Sequence, residues 1–311
     1  MSRVYAIDPF HRAGLDLVAQ RAELILWDDP RVADWREDAD GLMVRLTPLT
    51  RADFATAKRL RAVVKQGVGV ETIDLQAARD HGITVCNTPG VNSEAVAELA
   101  LTLALAVGRR VPEMDRAIRG GGQVSRENFL GLEAWGRTVG IIGMGNIGTR
   151  IARKWHGAFE SKILALDPYV PADHWPDIPH ERLATLAEML PRVDVLTLHL
   201  PLTEESRGMI GAAELAVMRP TAILVNTARG GIVDEAALHA ALASGHLFGA
   251  GLDAFALEPP TTENPLVSLP NVVCTPHAAG GTQDTQAKSS LAVAQQLLDV
   301  LGGGEPWARV A

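Results

Sequence analysis

The sequence predicts an α/β protein of two domains with parallel sheets, one domain inserted into the other, and three observations carry that expectation. Short apolar runs alternate with helical segments along almost the whole chain. A strand stands directly before Gly143-Met144-Gly145-Asn146-Ile147-Gly148. A tail over 282–301 has helical periodicity, with Leu291, Val293, Ala294, Leu297, Leu298 and Leu301 on its apolar side, and could pack back on the first series of strands.

In order along the chain, the first series of strands is expected at Val4–Ile7, Glu23–Leu26, Gly41–Val44, Ala62–Lys65 and Ile83–Val85. Helical patterns at Gly14–Arg21, Arg51–Ala57 and Leu75–His81 lie between them. Such alternation favours parallel pairing, because parallel strands need a long crossover and a helix covers the sheet face. One long helix is expected from about Ser93 to Gly120. A second series follows at Val139–Ile142, Ile163–Leu166, Val195–Leu198, Ala222–Val225, Ala250–Asp253 and Val272–Cys274, six strands in all. Gly302-Gly303-Gly304 then stops the tail helix.

A chain of 311 residues can bury two cores of ordinary size, and 47% hydrophobic with 21% charged residues is usual for a globular protein. The net charge of -8 offers no electrostatic footprint for a nucleic acid, so none is expected as a partner. Cys86 and Cys274 are too few for a disulfide framework and lack zinc spacing; both read as buried thiols in a reducing compartment. The histidines show no metal-ligand spacing, and no metal is expected. Asp8 interrupts the N-terminal apolar run before a signal core could form. The apolar stretch Ala95 to Gly108 contains Glu98 and is too short to cross a bilayer. No membrane partner and a cytoplasmic location are therefore expected.

The glycine pattern gives the first functional reading. Val139 to Ile142 forms the strand, Gly143 permits a tight turn, Gly145 lets the backbone approach a pyrophosphate, and Gly148 allows close helix–strand packing. A helical stretch at Thr149–His156 follows, and its N-terminus supplies unpaired N–H groups and positive dipole to phosphates, with Asn146 and Ile147 of the loop as further cofactor-binding candidates. At the end of the next strand Asp167 can accept hydrogen bonds from an adenosine ribose and repel a 2′-phosphate. NAD is thus the expected cofactor, in preference to NADP.

Three further segments fall beyond the ends of later strands: Asn226-Thr227-Ala228-Arg229-Gly230-Gly231, Leu252-Asp253-Ala254-Phe255-Ala256-Leu257-Glu258-Pro259-Pro260 and Thr275-Pro276-His277-Ala278-Ala279-Gly280. With Gly67-Val68-Gly69-Val70-Glu71-Thr72-Ile73-Asp74, Asn87-Thr88-Pro89-Gly90-Val91-Asn92-Ser93 and His199-Leu200-Pro201-Leu202-Thr203, the chain resembles the D-isomer-specific 2-hydroxyacid dehydrogenases over nearly its whole length. In motif it is most similar to the phosphoglycerate dehydrogenases. The resemblance implies a Rossmann dinucleotide-binding domain, residues 94–283, inserted in a smaller flavodoxin-like substrate domain, residues 1–93 and 284–311.

The resemblance also implies roles. Arg229 takes the substrate carboxylate and carbonyl, His277 transfers the proton, and Glu258 orients and charges His277. Each role has a physical reason. A guanidinium grips a carboxylate with a planar fork, an imidazole is the base best suited to neutral pH, and a carboxylate on its other nitrogen fixes the tautomer and stabilises imidazolium. Cofactor contacts are implied at His199, Pro201, Thr203, Thr227, Ala228, Asp253, His277 and Gly280. For Asp253 a strand-end structural role stands as the alternative.

On the substrate side the resemblance implies backbone N–H groups around Gly67 and Val68 for the carboxylate, with Asn92 as a polar pocket residue. Arg45, Lys65 and Arg126 match positions where phosphoglycerate dehydrogenases carry basic residues. Lys65 replaces an expected arginine, which weakens a phosphate reading, and salt-bridge roles remain open for all four side chains. D-3-phosphoglycerate leads among small anionic substrates, with hydroxypyruvate and glyoxylate behind it. An NAD-sensing protein similar to the C-terminal-binding corepressors, which share the fold, is the alternative outside enzymology. A homodimer built through the cofactor domain, with the helix near Ala95–Arg109, is implied as well; burial of that helix within its own chain is the alternative. His174 and His180 read as ordinary loop residues.

Overall fold

The computed structural model describes residues 1–121 and 124–311, which divide into two compact units: Met1–Asn92 with Gly281–Ala311, and Ser93–Gly280. In the first unit the strands are β1 (Arg3–Ala6), β2 (Glu23–Ile25), β3 (Gly41–Val44), β4 (Ala62–Lys65) and β5 (Thr84–Cys86). They pair in parallel in the order β2-β1-β3-β4-β5, the flavodoxin-like arrangement. Alternate side chains of β3 divide between two cores: Leu42 and Val44 enter one with Phe54, while Met43 enters the other with Val18, Val293 and Leu297.

Helices α1 (Arg12–Ala19), α2 (Trp35–Asp38), α3 (Arg51–Thr56) and α4 (Leu75–Asp80) connect these strands. The tail helix, Gln283–Leu301, begins at Thr282, whose hydroxyl accepts the Thr285 N–H at 3.1 Å. It returns to this unit and lies against α1 so closely that a Cβ on Gly14 would stand 2.3 Å from the Ser290 carbonyl oxygen.

The second unit begins with α5 (Ser93–Gly108) and α6 (Val111–Arg119), where one long helix was expected. Arg110 breaks it with φ of 54°, and Pro112 in the first turn of α6 shows why. Proline lacks the N–H and clashes with the preceding turn, so it starts a helix instead of continuing one. The Arg110 guanidinium pairs with Glu113 at 2.7 Å.

The remaining strands are β6 (Thr138–Ile142), β7 (Lys162–Leu166), β8 (Glu181–Arg182), β9 (Val195–Leu198), β10 (Ile223–Asn226), β11 (Gly249–Leu252) and β12 (Val272–Cys274). Six strands were expected and the sheet has seven, because β8 is two polar residues with no periodicity to announce it. The order is β12-β11-β10-β9-β6-β7-β8, all parallel, and the winding reverses between β6 and β9. That reversal opens a crevice at the carboxyl ends of the strands, where ligands bind in Rossmann sheets. Helices α7 (Asn146–Phe159), α8 (Leu186–Met189), α9 (Ala212–Ala216) and α10 (Glu235–Ala243) complete the unit, which makes the tail helix α11. Apolar cores cover both faces of this sheet. Among the described residues no helix is long and apolar enough to cross a membrane.

Candidate active site

The turn after β6 is shaped by two close approaches. Gly143 has φ of 96°, and a Cβ there would lie 2.2 Å from the His199 carbonyl oxygen. A Cβ on Gly148 would lie 2.0 Å from the Gly143 carbonyl oxygen, so neither position admits a side chain without moving backbone. At Gly145 the corresponding space is open. Helix α7 starts there without a side-chain cap, whereas α10 is capped by Asp234 and α4 by Asp74. An uncapped helix start beside open space, with Asn146 and Ile147 in the first turn, is suited to an anion.

Asp167 follows β7. Its Oδ2 accepts the Met144 N–H at 2.8 Å and its Oδ1 accepts the Tyr169 N–H at 2.9 Å, which ties the carboxylate to the glycine turn. Beyond β9, Thr197 Oγ1 lies 2.7 Å from His199 Nε2, while His199 Nδ1 is buried without a hydrogen-bond partner. Burial pushes this imidazole down to about 3, so it is neutral at physiological pH. Pro201 and Thr203 are exposed in the following loop, braced by Ser206, whose hydroxyl donates to the Pro201 carbonyl at 2.8 Å. Thr227 Oγ1 is a second buried atom with no partner, beside buried Ala228. These unspent polar atoms and the uncapped helix fit a dinucleotide.

The three catalytic candidates follow β10, β11 and β12. Asn226 braces the first turn, with Oδ1 accepting the Ala228 N–H at 3.0 Å and Nδ2 donating to the Arg229 carbonyl at 2.9 Å. Half-buried Arg229 donates from Nη1 to the Ala228 carbonyl at 2.8 Å. Glu258 Oε1 accepts the Phe255 N–H at 3.0 Å, and its Oε2 lies 2.8 Å from His277 Nδ1. An ionised carboxylate only accepts, so Nδ1 carries the hydrogen and Nε2 is left to act as a base. The two side chains are 33% and 44% exposed, so the pair can reach a solute.

Asp253 is 1% exposed and holds the His277 loop. It accepts Thr275 Oγ1 at 2.6 Å and the N–H groups of Ala278 and Ala279 at 2.8 and 3.0 Å, while its carbonyl accepts the His277 N–H. This is the structural role left open for Asp253. His277 itself has φ of 54°. Gly280 is partly buried just after the loop.

In the first unit the expected substrate residues gather unevenly. Lys65 Nζ donates to the Arg45 carbonyl at 3.0 Å and the Gln66 carbonyl at 3.4 Å. The Arg45 N–H is held by buried Asp8 at 2.6 Å. Asn92 Oδ1 is buried and unpartnered. The expectation for Gly67 needs correction. Its N–H donates to Thr88 Oγ1 at 2.7 Å, and its contribution is the turn itself at φ of 106°; Val68, 45% exposed, keeps the proposed backbone role. Arg126 lies in the other unit, exposed on a short 3₁₀ turn.

Sequence reasoning missed two residues. His174 and Trp175 are not ordinary loop residues, since both ring nitrogens meet the Met144 carbonyl oxygen, at 2.7 and 3.0 Å. They follow no motif, and nothing in spacing alone marks them. Cys86 is buried as expected, whereas Cys274 is half-buried.

Comparison with known proteins identifies the family. The family model described as D-isomer specific 2-hydroxyacid dehydrogenase, NAD binding domain, matches residues 101–279. The chain is 39% identical to a glyoxylate reductase of Korarchaeum cryptofilum over 98% of its own length and 94% of the relative's. It is 37% identical to a D-3-phosphoglycerate dehydrogenase of Methanocaldococcus jannaschii over 97% of its length, yet spans 58% of that relative. A Thermus thermophilus crystal structure superposes with a TM-score of 0.89 at 36% identity, covering 100% of both chains. The chain belongs to the D-isomer-specific 2-hydroxyacid dehydrogenase family, and its second unit carries the family's NAD-binding domain.

Proposed function

We propose that the protein transfers a hydride between C2 of a small D-2-hydroxy acid and NAD. The observation that carries this reading is the Glu258–His277 pair, 2.8 Å apart, with the second carboxylate oxygen fixed by the Phe255 N–H. When bound, NAD supplies the hydride acceptor. His277 Nε2 takes the hydroxyl proton of the alcohol, and Glu258 stabilises the imidazolium that results. In the reductive direction the same nitrogen returns the proton. Arg229 binds the substrate carboxylate and polarises the C2 oxygen. Asp253 keeps the loop carrying His277 in place.

For the substrate's distal group, the basic side chain of Arg45 favours a second anion, and D-3-phosphoglycerate is the largest acid we propose. One observation favours shorter acids. The Lys65 ammonium is directed at two backbone carbonyls, and an ammonium so engaged is a poor phosphate ligand compared with a bidentate guanidinium. The similarity to a glyoxylate reductase over 98% of this chain and 94% of the relative supports glyoxylate, and that to a hydroxypyruvate reductase over 96% and 98% supports hydroxypyruvate. The test is NADH oxidation and NAD reduction across D-3-phosphoglycerate, hydroxypyruvate, glyoxylate and D-lactate. Turnover with none of them would remove the enzyme reading and leave an NAD-dependent binding protein.

We also propose a cytoplasmic homodimer. The helix near Ala95–Arg109 buries Ala97, Ala100, Leu103 and Val107 in the core of its own unit, which favours the intrachain alternative for it; what supports a dimer is the exposed apolar side chains of Val111, Ile118, Leu130 and Trp135 in the same unit, 52%, 64%, 74% and 61% exposed.

A further inference from the structure

Both backbone polar groups of Met144, the N–H of the peptide before it and the carbonyl of the Met144–Gly145 peptide, are held by one segment. Asp167 Oδ2 accepts the Met144 N–H at 2.8 Å, and the Met144 carbonyl oxygen accepts His174 Nε2 at 2.7 Å and Trp175 Nε1 at 3.0 Å. The Trp175 indole N–H is shared with Thr149 Oγ1, whose hydroxyl in turn donates to the Gly145 carbonyl at 2.9 Å. Trp175 is 3% exposed, and its backbone sits at φ of 64°, a region that disfavours a residue of this kind. Its ring stands 6.0 Å from that of His174 and 5.3 Å from that of His180. Backbone strain is retained where surrounding contacts impose it, and here they impose the place of one indole nitrogen.

The consequence follows from peptide planarity. In a trans peptide the carbonyl and the next N–H point to opposite edges of one plane. The Met144–Gly145 bond is trans, so a carbonyl fixed toward His174 and Trp175 turns the Gly145 N–H to the far edge. That N–H belongs to the glycine whose side-chain position is open and which starts the uncapped helix α7.

We infer that His174 and Trp175 are positioning residues that aim the Gly145 N–H at the cofactor's pyrophosphate. The inference rests on the NAD reading and deepens it, since the segment that carries the proposed ribose acceptor Asp167 also orients the phosphate donor. An N–H aimed in advance loses no freedom when the anion arrives, so the pair strengthens phosphate binding without touching the phosphate.

The test compares ligands with and without the pyrophosphate, by calorimetric titration of the full chain with NAD, ADP-ribose and adenosine. His174→Phe at a half-buried position removes one donor, and Trp175→Phe removes the other while keeping an aromatic ring in the core. The double variant should bind NAD and ADP-ribose about tenfold more weakly, the worth of one hydrogen bond to a charged group. Adenosine affinity and kcat at saturating NAD should not change. His174→Gln, which keeps an N–H donor, should stay near wild type. Equal losses for adenosine and ADP-ribose would mean general loosening and overturn the inference, as would unchanged ADP-ribose affinity. A wild-type chain that binds neither NAD nor ADP-ribose would remove the NAD reading and this inference with it.

Discussion

His277 owes its usefulness to two neighbours that fix different parts of it: Glu258 its ring and Asp253 its backbone. Replacing it by asparagine keeps polarity and approximate size but removes the base. Positioned acid–base catalysis contributes about 10²–10⁴-fold, so kcat should fall by that amount while NAD affinity is kept. Glu258→Gln should cost less. A neutral amide can still hold the ring but no longer stabilises the imidazolium formed as the proton transfers. Steady-state kinetics on wild type and both variants, with an NAD titration of each, check the pair. Near-wild-type turnover of His277→Asn on the best substrate would assign the proton to another group.

Strand β9 delivers His199 into a place where its imidazole is buried and neutral. An unfolded histidine titrates near 6.5, and burial has pushed this one down to about 3. Protons therefore bind the unfolded chain first as pH falls. The element's contribution to stability is complete above about pH 6.5 and drains away as pH drops toward about 3. Between pH 7.5 and pH 5 this group alone should cost about 2 kcal/mol, and His199→Gln should lose correspondingly less over the same interval. Urea unfolding at the two pH values measures it, and identical losses in both proteins would refute the assignment. Most elements that position the site were legible because their signals are local. An apolar run of four residues with a turn at each end announced β6, β9 and β10, and the glycine turn after β6 announced the helix behind it. What escaped depends on partners distant in sequence. Two-residue β8 exists because β7 offers an edge; the split of α5 from α6 at Arg110 is the exception, a local signal carried by the single residue Pro112. Like β8, Trp175 acquires its role from Met144, 31 positions away, and the Gly67 N–H is taken by Thr88, 21 positions away.

At the scale of the whole molecule, each unit has its own sheet and its own cores, and the chain passes from one to the other twice. The proposed homodimer uses the second unit. Ile118→Asp, at a residue 64% exposed, puts a charge among the exposed apolar side chains of this unit and should yield monomer in sedimentation velocity without lowering the melting temperature of the fold. A variant that remains dimeric would show that the subunits meet elsewhere. The tail helix has a further consequence, for the chain as it is made. Val4, Ala6, Met43 and Val64 are covered in part by Val293, Ala294 and Leu297, and the edge of β5 is completed by backbone hydrogen bonds from Val85 to Ala311 and from Asn87 to Ala308. Residues 93–280 lie between the two halves of that arrangement. At 5–20 residues per second the ribosome needs on the order of ten to forty seconds to bridge the gap. Throughout that time the first sheet stands with one apolar face only partly covered and one edge open, while the second unit emerges whole. The later-made unit can therefore finish folding before the earlier-made one, and nascent chains of this protein are good clients for a chaperone that shields apolar sheet surface.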